Sequence, residues 1–287
     1  MTKIKNFNIV STFLGLWLAV FLSAEVEVYM SSFLILTVGL LHGSNDIKII
    51  GKVFKEKSFS YYNVLIFYII AVISGAFMFY FIPVIALVLF ILVSGFHFGE
   101  QHFHYLEHTN KYLKYIFFVS YGCTIIFLLL WTNAEDSLII IEQITEITIT
   151  KTLLKYLVLG SLVLFILSSV SFYRKIKEPF RELFNLIIFF IVFKTASLLW
   201  AFAIYFILWH SIPSIVDQTT FLFKDINASS LKRYIKTSLL FWMASVFGLI
   251  VLLTFLIKEE MFYAVFFSFL AAITFPHVFV MSKIFKH

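Results

Sequence analysis

The sequence predicts an all-α fold: a polytopic bundle of about ten transmembrane helices, with both termini cytoplasmic. Three observations predict it. Hydrophobic residues make up 61% of the 287-residue chain and charged residues only 13%, too little polar surface for a soluble protein of this size. The apolar residues run continuously over about 20 positions at a time, enough to cross the hydrocarbon as a helix, without the alternation of barrel strands. The sparse charges fall between the runs and are sorted by sign.

The expected spans follow in order. The first, 7–23, comes after Lys3 and Lys5; Ser23-Ala24-Glu25 is a poor cleavage site, so the run reads as a retained helix. The second, 28–45, closes on Gly39-Leu40-Leu41-His42-Gly43. Spans 62–81 and 83–101 follow, the fourth ending in Ser94-Gly95-Phe96-His97-Phe98-Gly99. Spans 112–132 and 153–173 flank a segment, 133–150, that alternates Ile with Thr and Glu and fits a short interfacial helix or strand. The apolar stretch 181–211 is too long for one ordinary span, and Lys194-Thr195 is the expected turn between 181–193 and 195–211. Spans 236–257 and 261–282 complete the set. With the N-terminus inside, every basic residue except Lys151, Lys155, Lys194 and Lys258 falls on the cytoplasmic side. Reading 181–211 as one helix would flip Lys224, Lys232, Arg233 and Lys236 outward, which argues for the even count. No linker or repeat divides the chain, so a single integral membrane domain over 1–287 is expected, multi-pass in the cell (inner) membrane.

The net charge of +6 is accounted for by membrane orientation and calls for no nucleic acid. The lone Cys123 allows neither an intramolecular disulfide nor a cysteine metal cluster.

The polar chemistry lies in the histidines. Ionisable residues inside spans are costly and mark function. His42, His97, His210 and His277 all lie in even-numbered spans near their cytoplasmic ends, at one membrane depth, where they can converge. Neutral imidazole suits Zn, Cu, Fe and Ni, and an all-histidine set points away from structural zinc. Asp46, four residues after His42, and Glu100, three after His97, share helix faces with those histidines and can orient them from behind. His102 stands close to His97 and is a further candidate for that outer shell. His104 and His108 read as solvated interfacial residues. Gly39, Gly43, Gly95 and Gly99 allow close helix approach, while Pro213 and Pro276 can kink the helices beside His210 and His277. The 38 phenylalanines face lipid or line a pocket for a long flat hydrocarbon. These features leave open a membrane oxygenase, a histidine-based transporter and a haem- or metal-binding protein without oxygenase activity. The absence of any His-His pair argues against a di-iron hydroxylase.

His-Gly-x-x-Asp at His42 to Asp46, His-Phe-Gly at His97 to Gly99, Trp-His-Ser at Trp209 to Ser211, and Pro-His at Pro276-His277 resemble the Brp/Blh family of membrane β-carotene 15,15′-dioxygenases. The resemblance runs in order from about residue 39 to 281. It implies oxidative cleavage of β-carotene by dioxygen at the central double bond, with iron(II) as the metal, giving two retinal molecules to supply a microbial rhodopsin. His42, His97 and His210 carry over as ligands and His277 as the fourth. The chain departs from the family in two places: Ser214 stands where many members carry a second histidine after Trp-His, and His102 where an acidic residue is common. Phe96, Phe98, Trp200 and Trp209 are expected to line the substrate channel.

Overall fold

The computed structural model describes residues 2–53, 61–106, 110–256 and 262–284, and all the regular structure among them is helical. In chain order the helices are α1 (Thr2–Phe21), α2 (Ala24–Leu34), α3 (Leu40–Gly43), α4 (Asp46–Val53), α5 (Tyr61–Phe81), α6 (Pro83–Phe103), α7 (Lys111–Thr132), α8 (Ala134–Thr145), α9 (Lys151–Val170), α10 (Pro179–Thr195), α11 (Leu198–Ile204), α12 (Ile212–Phe223), α13 (Ala228–Leu256) and α14 (Phe262–Ile284). A π-helical turn, Ile35–Gly39, joins α2 to α3, and a second, Tyr205–Ser211, joins α11 to α12.

The helix ends follow from local chemistry. Asn110 caps α7, its Oδ1 accepting from Tyr112 N at 3.0 Å, and Thr150 caps α9, its Oγ1 accepting from Leu153 N at 3.2 Å. Pro179 opens α10, where its missing N–H costs nothing.

Eight helical stretches among the described residues are long and apolar enough to cross a membrane, so this is a multi-pass membrane protein: Ala24–Val53, Tyr62–Phe81, Pro83–Phe103, Lys111–Thr132, Lys151–Val170, Leu198–Phe223, Ala228–Thr254 and Phe262–Ile284. The two other expected spans fall on the shorter apolar helix Asn6–Phe21 and on the 17-residue α10. Several boundaries differ from expectation. The helical stretches holding His42 and His210 continue beyond those residues, to Val53 by way of a turn at Ser44-Asn45 and to Phe223. Hydropathy alone closes them early because Asp46, Ser211, Ser214 and Gln218 are polar, yet these residues are buried. The break between the seventh and eighth spans lies at Ala196-Ser197 rather than Lys194-Thr195. Its position is set by Glu27, a buried carboxylate of α2 whose Oε2 accepts from Ser197 N at 3.0 Å and so caps α11. The 133–150 segment forms the helix α8.

The chain folds as two compact units. The first comprises Met1–Leu34, Ile91–Glu142 and Ile147–His210, the second Ile35–Phe90, Gln143–Glu146 and Ser211–His287. In the first, α7 packs along α9, α10 packs on α7 and α1, and α11 on α2. Its core is aromatic: the Phe103 and Phe117 ring centroids lie 4.8 Å apart, Phe103 and Tyr121 5.0 Å, and Phe117 and Phe165 5.2 Å. Part of the phenylalanine excess therefore packs helix on helix, besides facing lipid. Helices α6 and α7 meet backbone to backbone, since a Cβ on Gly99 would collide with the Phe118 carbonyl and one on Gly122 with the Gly95 carbonyl. In the second unit α14 packs on α5 and α4, and α13 on α3 and α12. Ile49, Val280, Met281 and Ile284 form a buried cluster there.

Candidate metal centre

The four intramembrane histidines are all buried, none more than 6% exposed. The structure arranges them as two pairs, one in each unit.

In the first unit α6 carries His97 and the π-turn Tyr205–Ser211 carries His210. Their rings meet edge to face with centroids 4.8 Å apart. A π-turn widens the helix and leaves a main-chain carbonyl poorly matched to the next turn. Gln101, one turn beyond His97, answers this, its Nε2 donating to the His210 carbonyl at 3.0 Å. Phe98 and Phe206 flank the His210 ring, at 4.8 and 5.4 Å between centroids.

In the second unit α3 carries His42 and α14 carries His277, again edge to face at 4.8 Å. The far nitrogens of both rings are engaged. His42 Nδ1 donates to the Gly39 carbonyl in the turn below it. His277 Nδ1 lies 3.0 Å from both oxygens of Asp46, at the start of α4. With Nδ1 donating in each case, Nε2 bears the lone pair. Asp46 is held in turn by Tyr68 of α5, whose hydroxyl donates to Oδ2 at 2.8 Å. A carboxylate behind an imidazole is the arrangement that fixes ring orientation and raises donor strength at metal sites.

The backbone around His42 is pinned as well. The Gln218 Nε2 donates to the His42 carbonyl at 2.6 Å, and the Tyr234 hydroxyl reaches the same carbonyl at 3.2 Å. Tyr234 also donates to Gln218 Oε1 at 2.9 Å. Ser214, at the position where many members of the resembling family carry histidine, accepts from Gln218 Nε2 at 2.9 Å. The Trp242 indole donates to the Leu36 carbonyl at 2.7 Å, satisfying the π-turn Ile35–Gly39.

The remaining expected site residues take other places. Asp46 contacts His277 of α14, because a turn at Ser44-Asn45 ends the helix that would have put it on one face with His42. Glu100 is buried on α6. The His102 Nε2 lies 2.6 Å from Glu182 Oε2 and its ring stacks on Tyr121 at 5.0 Å; Asn185 donates to the same Glu182 oxygen at 3.1 Å. Just outside the span, burial pushes the Tyr105 phenol up to about 12, against a lowering contribution from the Lys177 backbone. Of the aromatic candidates, Phe98 touches His210 and Tyr205, while Phe96 packs on Tyr115 and Phe118 of α7. The Trp200 and Trp209 indoles are committed to α1, donating to the Gly15 carbonyl at 3.0 Å and to Thr12 Oγ1 at 2.9 Å. Gly95 and Gly99 serve the contact with α7, whereas Gly43 faces His277. The His104 Nδ1 lies 2.9 Å from the Gln101 carbonyl. His108 and His287 lie outside the described residues.

The sequence reading passed over Tyr68, Gln218, Tyr234 and Gln101. Gln218 had a signal: with His210 and Ser214 it makes a polar stripe at four-residue spacing inside an apolar helix. Tyr68 had none, being one aromatic residue among many on α5.

His97 and His210 in the first unit, and His42 and His277 in the second, are each a pair of imidazoles of the kind that binds metal ions. Buried imidazoles, one backed by a carboxylate, fit a divalent transition ion such as iron(II) and suit it better than calcium or magnesium, which take oxygen donors. A family model described as beta-carotene 15,15'-dioxygenase matches residues 33–285, taking in all four histidines, Asp46 and Tyr68. No curated protein and no solved structure matches the chain.

Proposed function

The chain belongs to the beta-carotene 15,15'-dioxygenase family, and from that membership we propose that it cleaves β-carotene at the central double bond to two all-trans-retinal molecules. One dioxygen is consumed, and each of its atoms becomes the aldehyde oxygen of one product. We propose that His42, His97, His210 and His277 together hold one iron(II), with Asp46, Glu100 and His102 in the shell behind them. The observation that carries this reading is the Tyr68–Asp46–His277 chain, a carboxylate oriented from one side and aligning an imidazole on the other inside a membrane helix.

Iron(II), when bound, supplies the activation of dioxygen. The protein supplies the rest. The Gly39 carbonyl and Asp46 set the tautomers of His42 and His277, so that Nε2 of each is the donor. Gln101, Gln218 and Tyr234 fix the main chain at His210 and His42. Phe98 and Phe206 cover the His210 ring with hydrocarbon and keep water from it. A lipid-soluble polyene reaches such a site from the bilayer, and regioselectivity follows from holding its midpoint at the metal. The setting is the cell inner membrane, and the retinal produced is available to a rhodopsin.

Expression in cells that accumulate β-carotene tests the reading. Carotene should fall as retinal rises, with iron co-purifying with the protein. Unchanged carotene despite folded, iron-loaded protein would refute it, and products of unequal length would refute central cleavage while keeping the oxygenase.

A further inference from the structure

Within the second unit a cavity of about 570 Å³ lies against α4, α5 and α14. Ile50, Val64, Phe67, Ala71, Phe275 and Phe279 supply much of its wall, with Tyr68, Pro276 and Val280 completing it. Tyr68 is the one lining residue with a polar side-chain group, and its hydroxyl is committed to Asp46. The cavity therefore offers a ligand hydrocarbon contacts and almost no hydrogen bonding. Phe67 and Phe279 are 65% and 56% exposed, and they stand where the lining meets the outer surface of the membrane helices. The inner wall includes Tyr68 and Pro276: one touches Asp46, and the other precedes His277 in sequence.

The helices themselves open this space. Gly75 of α5 lies so close to α14 that a Cβ there would meet Ala272 Cα and the Phe275 ring at 3.1 Å. One turn away, at Ala71 and Pro276, the same two helices line the cavity. Pro276 cannot donate to the Ala272 carbonyl, and its ring displaces the preceding turn. The cavity thus begins one turn from the close contact at Gly75, beside the proline within α14.

We propose that this cavity holds one half of the polyene, placing its midpoint at the Tyr68–Pro276 end beside His277. The inference rests on the carotenoid-cleaving reading above. Three features select the occupant. The lining suits a hydrocarbon, not a polar metabolite. The volume lies within the range of about 300–1,000 Å³ typical of small-molecule sites, and the half-molecule is a C20 unit of that class. Exposed aromatic rings stand at the mouth on a membrane-spanning surface, where a lipid-soluble ligand arrives. A polyene seated here extends away from the histidines on one side of its central bond. The depth of the cavity then measures off which bond is presented, and Ala71 becomes a residue that sets cleavage position.

The test is a graded series in the full-length protein, Ala71→Val, Ala71→Leu, Ala71→Phe and Ala71→Trp, with Val64→Trp as an independent filling from the same wall. Three quantities are read on detergent-solubilised protein: iron content, retained β-carotene by its visible absorption, and the chain length of the aldehydes formed. The expected result is carotene retention falling at least tenfold across the series at constant iron content. The larger substitutions should also shift products from retinal towards pairs of unequal length. Retention and product length unchanged across the series and in Val64→Trp would overturn the proposal. Retention lost only in step with iron would also overturn it, assigning the effect to the metal centre. Wild-type protein that retains carotene, loses it across the series, yet yields no retinal would refute the reaction and leave the cavity assignment standing.

Discussion

At the residue scale the central relationship is Tyr68 to Asp46 to His277. Replacing a carboxylate behind a metal-bound imidazole lowers metal affinity by about 10- to 100-fold. Asp46→Asn should show a loss of that size in competition with a ferrous chelator. Tyr68→Phe removes only the hydroxyl and keeps the ring in the cavity wall, so it should weaken iron binding less than Asp46→Asn while leaving carotene retention at the wild-type level. The four histidines were legible in the sequence because a polar side chain in an apolar helix stands out against its neighbours. Tyr68 was not, because its ring looks like every other aromatic on α5 and only the fold brings its hydroxyl to Asp46. The partner of Asp46 was also misread: four-residue spacing pointed to His42, and the turn at Ser44-Asn45 turned the carboxylate to another helix.

At the element scale the site depends on irregular helix. Both π-turns sit beside the histidines they serve: Ile35–Gly39 precedes His42, and Tyr205–Ser211 contains His210. A π-turn has no sequence signature comparable with the hydropathy of a span, so neither was foreseen. The break at Ala196-Ser197 was placed two residues early for a related reason. Glu27, a charged residue between two apolar runs, is buried and fastens the start of α11 through Ser197 N. Glu27→Leu leaves the partly buried Ser197 N–H without its acceptor, a loss of about 1 kcal/mol, towards the low end for such a group. Thermal unfolding in detergent should show a lowered midpoint, and because α11 leads directly into the His210 turn, iron content should fall with it. Hydropathy located the helices well, since it acts over whole spans. It could not locate the helix ends fixed by one hydrogen bond from a distant residue.

At the scale of the whole molecule, the apolar bulk that identified a membrane protein divides into distinct uses. Rings such as Phe103, Phe117 and Phe165 pack the first unit, Phe67 and Phe279 edge a cavity in the second, and many others stand exposed on the helices. Among the buried polar groups, Asp46, Gln101, Ser214, Gln218 and Tyr234 serve the two histidine pairs and the main chain that carries them, while Glu27 fastens a helix end. If the proposed iron centre is the source of activity, a ferrous chelator applied to isolated membranes should abolish retinal formation, and added iron(II) should restore it where zinc does not. The crossing of α6 and α7 bears on the protein's history. A Cβ on Gly122 would run into the Gly95 backbone and one on Gly95 would run into Cys123, so neither position accepts a side chain at this separation. A phenylalanine in the packed unit can give way to leucine and be compensated by a neighbour, but this crossing offers no such gradual route. Over generations the two positions are tied to each other, and a lineage that lost one glycine would have to rebuild the separation of both helices at once.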